Sequence, residues 1–404
     1  MELGLSHIKK ARNDIVQIIK KTGLEQSNTL SELCETSIYL KTENLQKTGS
    51  FKIRGAANKI YNLKEKGGLS GVVAASAGNH AQGVAYASSK YGMPSVIVMP
   101  EGAPIVKATA TRQYGAEVII KGKNYDQCYE IAKDICKKDK KEYVHAFDDP
   151  YVIAGQGTVG LELLEQLPSL DNIIIPMGGG GLIAGVLLAV KELKPKVRVI
   201  GVQIQGSSPI YNKMKKIKSD DKQIKSMADG IMVNKPGQLP MAIIDKYLDD
   251  AITVTEEEIT RGTLFGLERC KLVIEGAAAT TLSALLYNKI SNLKGKTVAV
   301  LTGGNIDINV ISSIIQRGLV EANRVAFLEV VLADVPGELN KLLLNFAQSK
   351  ANVIKISHNR LSSDVPLNHA KVNVCIETRS KTHLQEIVQT LKKEPFYVKF
   401  KNNI

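Results

Sequence analysis

Lys52 lies in "TGSFKIRGAAN", residues 48–58, between a glycine-serine turn and a run of small residues that reads as the start of a helix. A lysine that forms a Schiff base must be neutral, which burial favours, and small neighbours leave room for a flat ring against it. Phe51 supplies an apolar face for that ring. In "PMGGGGLIAG" four consecutive glycines, Gly178, Gly179, Gly180 and Gly181, open a second helix. Unobstructed backbone N–H groups and the helix dipole can converge there on a phosphate. No Walker lysine follows the quartet and no G-x-G-x-x-G is present, which disfavours nucleoside triphosphates and dinucleotides. "ASAGNHAQGVA", residues 75–85, offers a third helix start, with Ser76 as N-cap and the side-chain amide of Asn79. Each feature has a plainer reading: a tight turn for the quartet, a capped core helix for the loop, a structural role for His80. Together, a buried lysine, a phosphate cradle and an amide-bearing loop describe a site for pyridoxal 5′-phosphate.

Such a site needs an α/β frame, and the sequence has one. From residue 72 onward apolar runs such as "GVVAAS", "PSVIVMP" and "AEVIIKG" alternate with helical stretches, then again at "DNIIIP", "KVRVIGVQI" and "TVAVL". Runs too continuous for half-exposed strands predict parallel strands covered on both faces. Three of them end in glycine-bearing loops that open helices, at Ser76–Asn79, Gly178–Gly181 and Thr302–Asn305, where ligands of open α/β sheets bind. After "RGLVEANR" the pattern becomes β-α-β-β-α-β over some 80 residues, a ferredoxin-like unit. Its first helix, "PGELNKLLLNFAQS", is expected to carry proline in its first turn.

"GSFKIRGAAN", "ASAGNHAQGVA", "GGGGL" and "LTGGNID", in this order, resemble the threonine dehydratases (threonine ammonia-lyases) of the tryptophan-synthase-β type of pyridoxal-phosphate enzymes. The tail, with "ADVPGEL", resembles an ACT regulatory domain. The resemblance implies a catalytic domain over residues 1–320, with a smaller subdomain at roughly 42–146 inserted in a larger one, and an ACT domain over 325–404. It implies that Lys52 holds the cofactor and moves the α-proton of the substrate, and that Gly178–Gly181 with Leu182 bind the phosphate. Phe51 would face the cofactor, Asn79 would bond its 3′-oxygen, and Thr302 would stand where serine usually meets the pyridine nitrogen. Ser76, Ala77, Gly78 and His80 would receive the carboxylate of L-threonine or L-serine. A hydroxyl cannot keep the pyridine nitrogen protonated as a carboxylate would, which favours elimination over transamination. Alanine at 77, where racemases of this fold carry serine, has no proton to give. The tail would bind isoleucine or valine in a homodimer or homotetramer. Glu275 is expected near the pocket with its role open, and Ala228–Gly230 match a loop that adjoins a cation site in some relatives.

The bulk numbers fit this frame. A chain of 404 residues exceeds one core and predicts two or three domains. No run reaches the ~20 apolar residues of a membrane helix, and the charged N-terminal helix lacks a signal-type apolar core, which predicts a cytoplasmic protein. Five scattered cysteines without a C-x-x-C pair argue against disulfides and zinc, and no histidine spacing suggests another metal. The net charge of +13 is spread along the chain without aromatic interleaving, so no nucleic-acid partner is expected. A serine-preferring dehydratase or a serine racemase-like enzyme is the alternative within the fold. An amino-acid sensor with a relic core is the alternative outside enzymes.

Overall fold

The computed structural model describes residues 3–218, 226–360 and 365–400. Among them are fourteen strands: β1 (Leu24–Gln26), β2 (Ile38–Thr42), β3 (Val72–Ala75), β4 (Ser95–Met99), β5 (Glu117–Ile120), β6 (Glu142–Tyr143), β7 (Leu170–Pro176), β8 (Arg198–Ile204), β9 (Asp250–Val254), β10 (Lys296–Leu301), β11 (Val325–Ala333), β12 (Asn352–Asn359), β13 (His369–Glu377) and β14 (Tyr397–Phe400). They fall into two compact units, residues 1–306 and 307–404.

The first unit holds two sheets. One has the order β1-β2-β10-β7-β8-β9, parallel except for the short β1, and the other the order β5-β4-β3-β6, parallel throughout. The core explains the continuous apolar runs. Ile173 and Ile175 of β7 pack into one cluster while Ile174 between them packs into another, and β10 splits in the same way. In the smaller sheet Val72 and Ala74 face one cluster, Val73 and Ala75 the other. Alternate side chains point to opposite faces, so a strand apolar at every position is one covered on both sides.

Three helices of this unit meet almost backbone to backbone. A Cβ on Gly155 would come 2.4 Å from the carbonyl of Arg54, joining the helices Pro150–Gln166 and Lys52–Lys66. A Cβ on Gly185 would come 2.5 Å from the N of Gly157, joining the first of these to the helix Gly181–Leu193.

The second unit begins with the helix Ile308–Glu321, followed by a β-α-β-β-α-β run whose antiparallel sheet has the order β12-β13-β11-β14. β11 alternates strictly between covered and half-covered residues, as a sheet with one buried face requires. The proline expected in the first turn of the next helix lies outside it. That helix starts at Glu338, and Gly337 precedes it with φ of +100°, a left-handed conformation that glycine adopts without strain.

Candidate active site

Lys52 is the first residue of its helix, preceded by Phe51. Its Nζ donates to the carbonyl of Ala146 at 3.1 Å and lies 5.3 Å from the centre of the Phe51 ring. Loss of water lowers its pKa from 10.5 to about 8, against the pull of the Glu275 carboxylate, which raises it. The residue is only half-buried, so the amine stays within reach.

Arg54, two residues on, fixes that first turn. It is fully buried, and its guanidinium meets Glu43 (2.7 and 2.8 Å), Glu162 (2.7 and 2.9 Å) and the Thr158 hydroxyl (3.1 Å). Lys41 completes a neutral quartet through Glu162 at 2.6 Å. From the sequence Arg54 is only a neighbour of Lys52 with no role assigned, and its acidic partners Glu43 and Glu162, 11 and 108 residues away, are not picked out.

The residue after Ala146 reaches the glycine quartet. A Cβ on Gly179 would sit 2.4 Å from the Phe147 ring, and one on Gly181 2.9 Å from its Cβ. Gly180 has φ of +91° and precedes the helix Gly181–Leu193, whose first N–H groups, including that of buried Leu182, have no partner within the helix. Two consecutive residues, 146 and 147, thus touch the lysine amine and the quartet. His145 holds their turn, since its Nδ1 accepts from the N–H groups of Phe147 (3.2 Å) and Asp148 (2.8 Å).

The loop after β3 departs locally from expectation. Ser76 does not cap the helix: its hydroxyl accepts from the N–H of Gly78 at 3.2 Å, two residues on, and the helix begins at Asn79 with Gly78 as cap. Ala77 is half-buried, and a Cβ on Gly78 would meet nothing within 4 Å, so the loop faces open space. His80 turns inward, its Nε2 2.8 Å from the carbonyl of Val144, and burial lowers its pKa to about 3, leaving it neutral. It brings its backbone to the loop, while its ring is occupied elsewhere.

Asn79 sits between two partners. Its Nδ2 donates to both oxygens of Glu275 at 2.9 and 2.8 Å, and its Oδ1 accepts from Asn305 at 2.8 Å. Asn305 also donates to the carbonyl of Thr48 at 2.8 Å. Asn305 belongs to the quoted "LTGGNID" but was given no part by the sequence reading. Next to it, the N–H of Phe51 donates to the carbonyl of Thr302 at 3.1 Å, tying the lysine's turn to the end of β10.

The residues fit pyridoxal phosphate on three counts. Thr302 Oγ1 is buried without a hydrogen-bond partner among the described residues, a costly condition that a ligand nitrogen relieves. The quartet is a helix start where side chains would collide with neighbours. The amine opposite is biased toward its neutral form. Among the described residues no group of three or more His, Cys, Asp or Glu side chains is placed to hold a metal.

A family model described as "Pyridoxal-phosphate dependent enzyme" matches residues 15–303. The chain belongs to that family. It is 47% identical over 391 residues to an L-threonine ammonia-lyase of Thermotoga maritima, an alignment covering 96% of this chain and 97% of the relative. It is 41% identical over 328 residues to the catabolic L-threonine dehydratase TdcB of Escherichia coli, covering 80% of this chain and 98% of that one. Among solved structures, a maize serine racemase superposes with a TM-score of 0.73 at 30% identity, covering 80% of this chain and 100% of that one.

Proposed function

We propose that this chain is a threonine ammonia-lyase, removing water from L-threonine to yield 2-oxobutanoate and ammonia, and converting L-serine to pyruvate as a lesser activity. One observation carries the reading: a half-buried lysine amine, its pKa lowered to about 8, stands one residue from a phosphate cradle in a chain that aligns along nearly its whole length with an L-threonine ammonia-lyase.

When bound, pyridoxal phosphate supplies the electron sink that makes the substrate's α-C–H bond acidic. Lys52 would hold the cofactor and, once released from it, would take the α-proton on Nζ. Gly178–Gly181 and the N–H of Leu182 hold the phosphate, Phe51 flanks the ring, Asn79 bonds the 3′-oxygen and Thr302 the pyridine nitrogen. Backbone groups of Ser76, Ala77, Gly78 and His80, at the start of the helix Asn79–Tyr91, hold the substrate carboxylate. The β-hydroxyl would leave as water with the proton that Lys52 Nζ took from the α-carbon, and the released enamine would take up water to give the 2-oxoacid and ammonia. Alanine at 77, where racemases of this fold carry serine, has no proton to give, so racemisation should be weak despite the likeness to the maize enzyme.

The reading extends to the second unit as an ACT domain that binds isoleucine or valine and controls a cytoplasmic homodimer or homotetramer. Its support is the β-α-β-β-α-β order, the antiparallel sheet, and the 96% cover of this chain by the Thermotoga relative against 80% by the catabolic one. Among the described residues no helix is long and apolar enough to cross a membrane.

Borohydride trapping followed by peptide mapping, with kcat/KM for both substrates, tests the catalytic reading. The cofactor is expected on Lys52, with threonine preferred and Lys52→Ala inactive but folded. A cofactor trapped elsewhere, or a strong serine preference, refutes it. Adding isoleucine or valine to the full chain should change its threonine kinetics, and no response to either refutes the regulatory reading.

A further inference from the structure

We propose that Glu275, as a carboxylate, is a positioning residue that holds the amide of Asn79 with an N–H group toward the cofactor's 3′-oxygen. The proposal rests on the reading of Asn79 given above.

An asparagine amide can be turned either way, and the turn exchanges a donor for an acceptor. Two neighbours fix it here. A carboxylate only accepts, and both oxygens of Glu275 lie within 2.9 Å of Nδ2. The Asn305 amide nitrogen donates to Oδ1 from the other end at 2.8 Å. One Nδ2 hydrogen shared between the two oxygens leaves the other free to donate to a ligand.

Glu275 is well placed for this task. It is buried, at 7% exposure. It holds the N-cap position of the helix Gly276–Leu286 yet makes no capping bond, so its carboxylate bypasses the open N–H groups of its own helix in favour of Asn79. Its backbone N–H is anchored on the carbonyl of Gly303 at 3.0 Å, and a Cβ at Gly303 would come 2.5 Å from Oε1, so a side chain there would push the carboxylate from its present place. Three charged groups act on it: Asp229, which opposes its ionisation, and Lys107 and Lys52, which favour it. Burial outweighs the rest and raises its pKa to about 7, so the carboxylate arrangement belongs to the range above that value. The elimination steps above give it no proton to move. A protonated carboxyl presents a donor of its own and no longer dictates which end of the amide faces it.

The test compares two cofactors on the full chain. The dissociation constants of pyridoxal phosphate and of 3-deoxypyridoxal phosphate, which lacks the 3′-oxygen, are measured for the parent, Glu275→Gln and Asn79→Ala. The parent should bind the natural cofactor roughly tenfold more tightly than the deoxy analogue, the scale of one hydrogen bond to a charged group. In Glu275→Gln, as in Asn79→Ala, that ratio should collapse toward one while affinity for the analogue is kept. Should Glu275→Gln fold poorly, Asn305→Ala unties the other end of the amide and should reduce the same ratio. A Glu275→Gln protein that weakens both cofactors alike, or keeps the parent's ratio, overturns the proposal. A parent that takes neither cofactor at Lys52 overturns the functional reading as well, and shows itself before any substitution is made.

Discussion

Replacing Arg54 by methionine should cost the first unit far more than one surface ion pair would. The guanidinium is fully buried and makes four short contacts with Glu43 and Glu162. Without it Glu162 keeps Lys41 at 2.6 Å, but Glu43 retains only the hydroxyl of Thr22, so the loss falls on one buried carboxylate. Breaking a buried pair from one side costs about 3–5 kcal/mol. For a body of this size that corresponds to a fall in Tm on the order of 10 °C. The pH dependence carries the diagnosis. In the parent, burial raises the pKa of Glu43, but Arg54, with Lys41 and Thr22 behind it, more than offsets this and holds it below its ordinary value, so the stability the pairing brings is present above the unfolded value near 4.5 and lost below it. In Arg54→Met, burial is opposed only by the Lys41 charge and the Thr22 hydroxyl, and the pKa of Glu43 rises. Its penalty is then greatest at pH 8 and shrinks as the medium approaches pH 5, so the two proteins converge in acid. Glu43→Gln added to Arg54→Met should recover most of the loss, since a neutral pair costs less than an orphaned charge. Urea unfolding followed by circular dichroism at pH 8 and pH 5 measures both effects. A difference below about 1 kcal/mol, or one that stays constant with pH, would refute the reasoning.

The remaining predictions concern the site. The amine of Lys52 is unreactive while protonated, so the rate at which the cofactor-free chain takes up pyridoxal phosphate should rise with a midpoint near pH 8; a midpoint near 10.5, the value of free lysine, would contradict its desolvation. Thr302→Val removes a buried hydroxyl that has no partner among the described residues, so the cofactor-free protein should gain about 1 kcal/mol in urea unfolding while cofactor affinity falls roughly tenfold. A loss of stability without the cofactor would mean that the hydroxyl already has a protein partner.

The frame was legible because its signals are local. A strand covered on both faces is apolar at every position, and a strand covered on one face alternates, so "DNIIIP" and "VAFLEVVL" could be told apart from neighbouring residues alone. The lysine, the quartet and the asparagine stood out because each lies among small residues at a helix start. What the sequence hid is pairing across distance. Nothing near Arg54 names Glu162, nothing in "HAFDDP" says that residues 146 and 147 touch both the amine and the quartet, and nothing in "EGAAATTL" reveals that Glu275 reaches Asn79. Ser76 misled for a related reason. Its type suits an N-cap, but a serine hydroxyl can equally take the N–H two residues on, and only the backbone path decides between them.

The spacing between the helix start at Lys52 and the one at Gly181 is set by backbone rather than by side chains. The helix that starts at Lys52 and the helix that starts at Gly181 both lie against Pro150–Gln166, the first through Gly55 and Gly155, the second through Gly157 and Gly185. At each contact a single methyl would meet backbone atoms at 2.4–2.8 Å, and backbone cannot swing aside as a side chain can. Contacts of this kind hold the two helix starts at a separation that side-chain repacking hardly changes. Rotamer freedom is thereby removed from the separation of the two helix starts and left to the side chains proposed to meet the cofactor's ring, Phe51, Asn79 and Thr302. That division explains why the glycines of this site occur on helices that bear no chemistry as well as in the loop that does. It also explains why the buried charges of Arg54, Glu43, Glu162 and Lys41 stand directly behind the lysine's turn, where a rigid helix start is worth the desolvation of four ions.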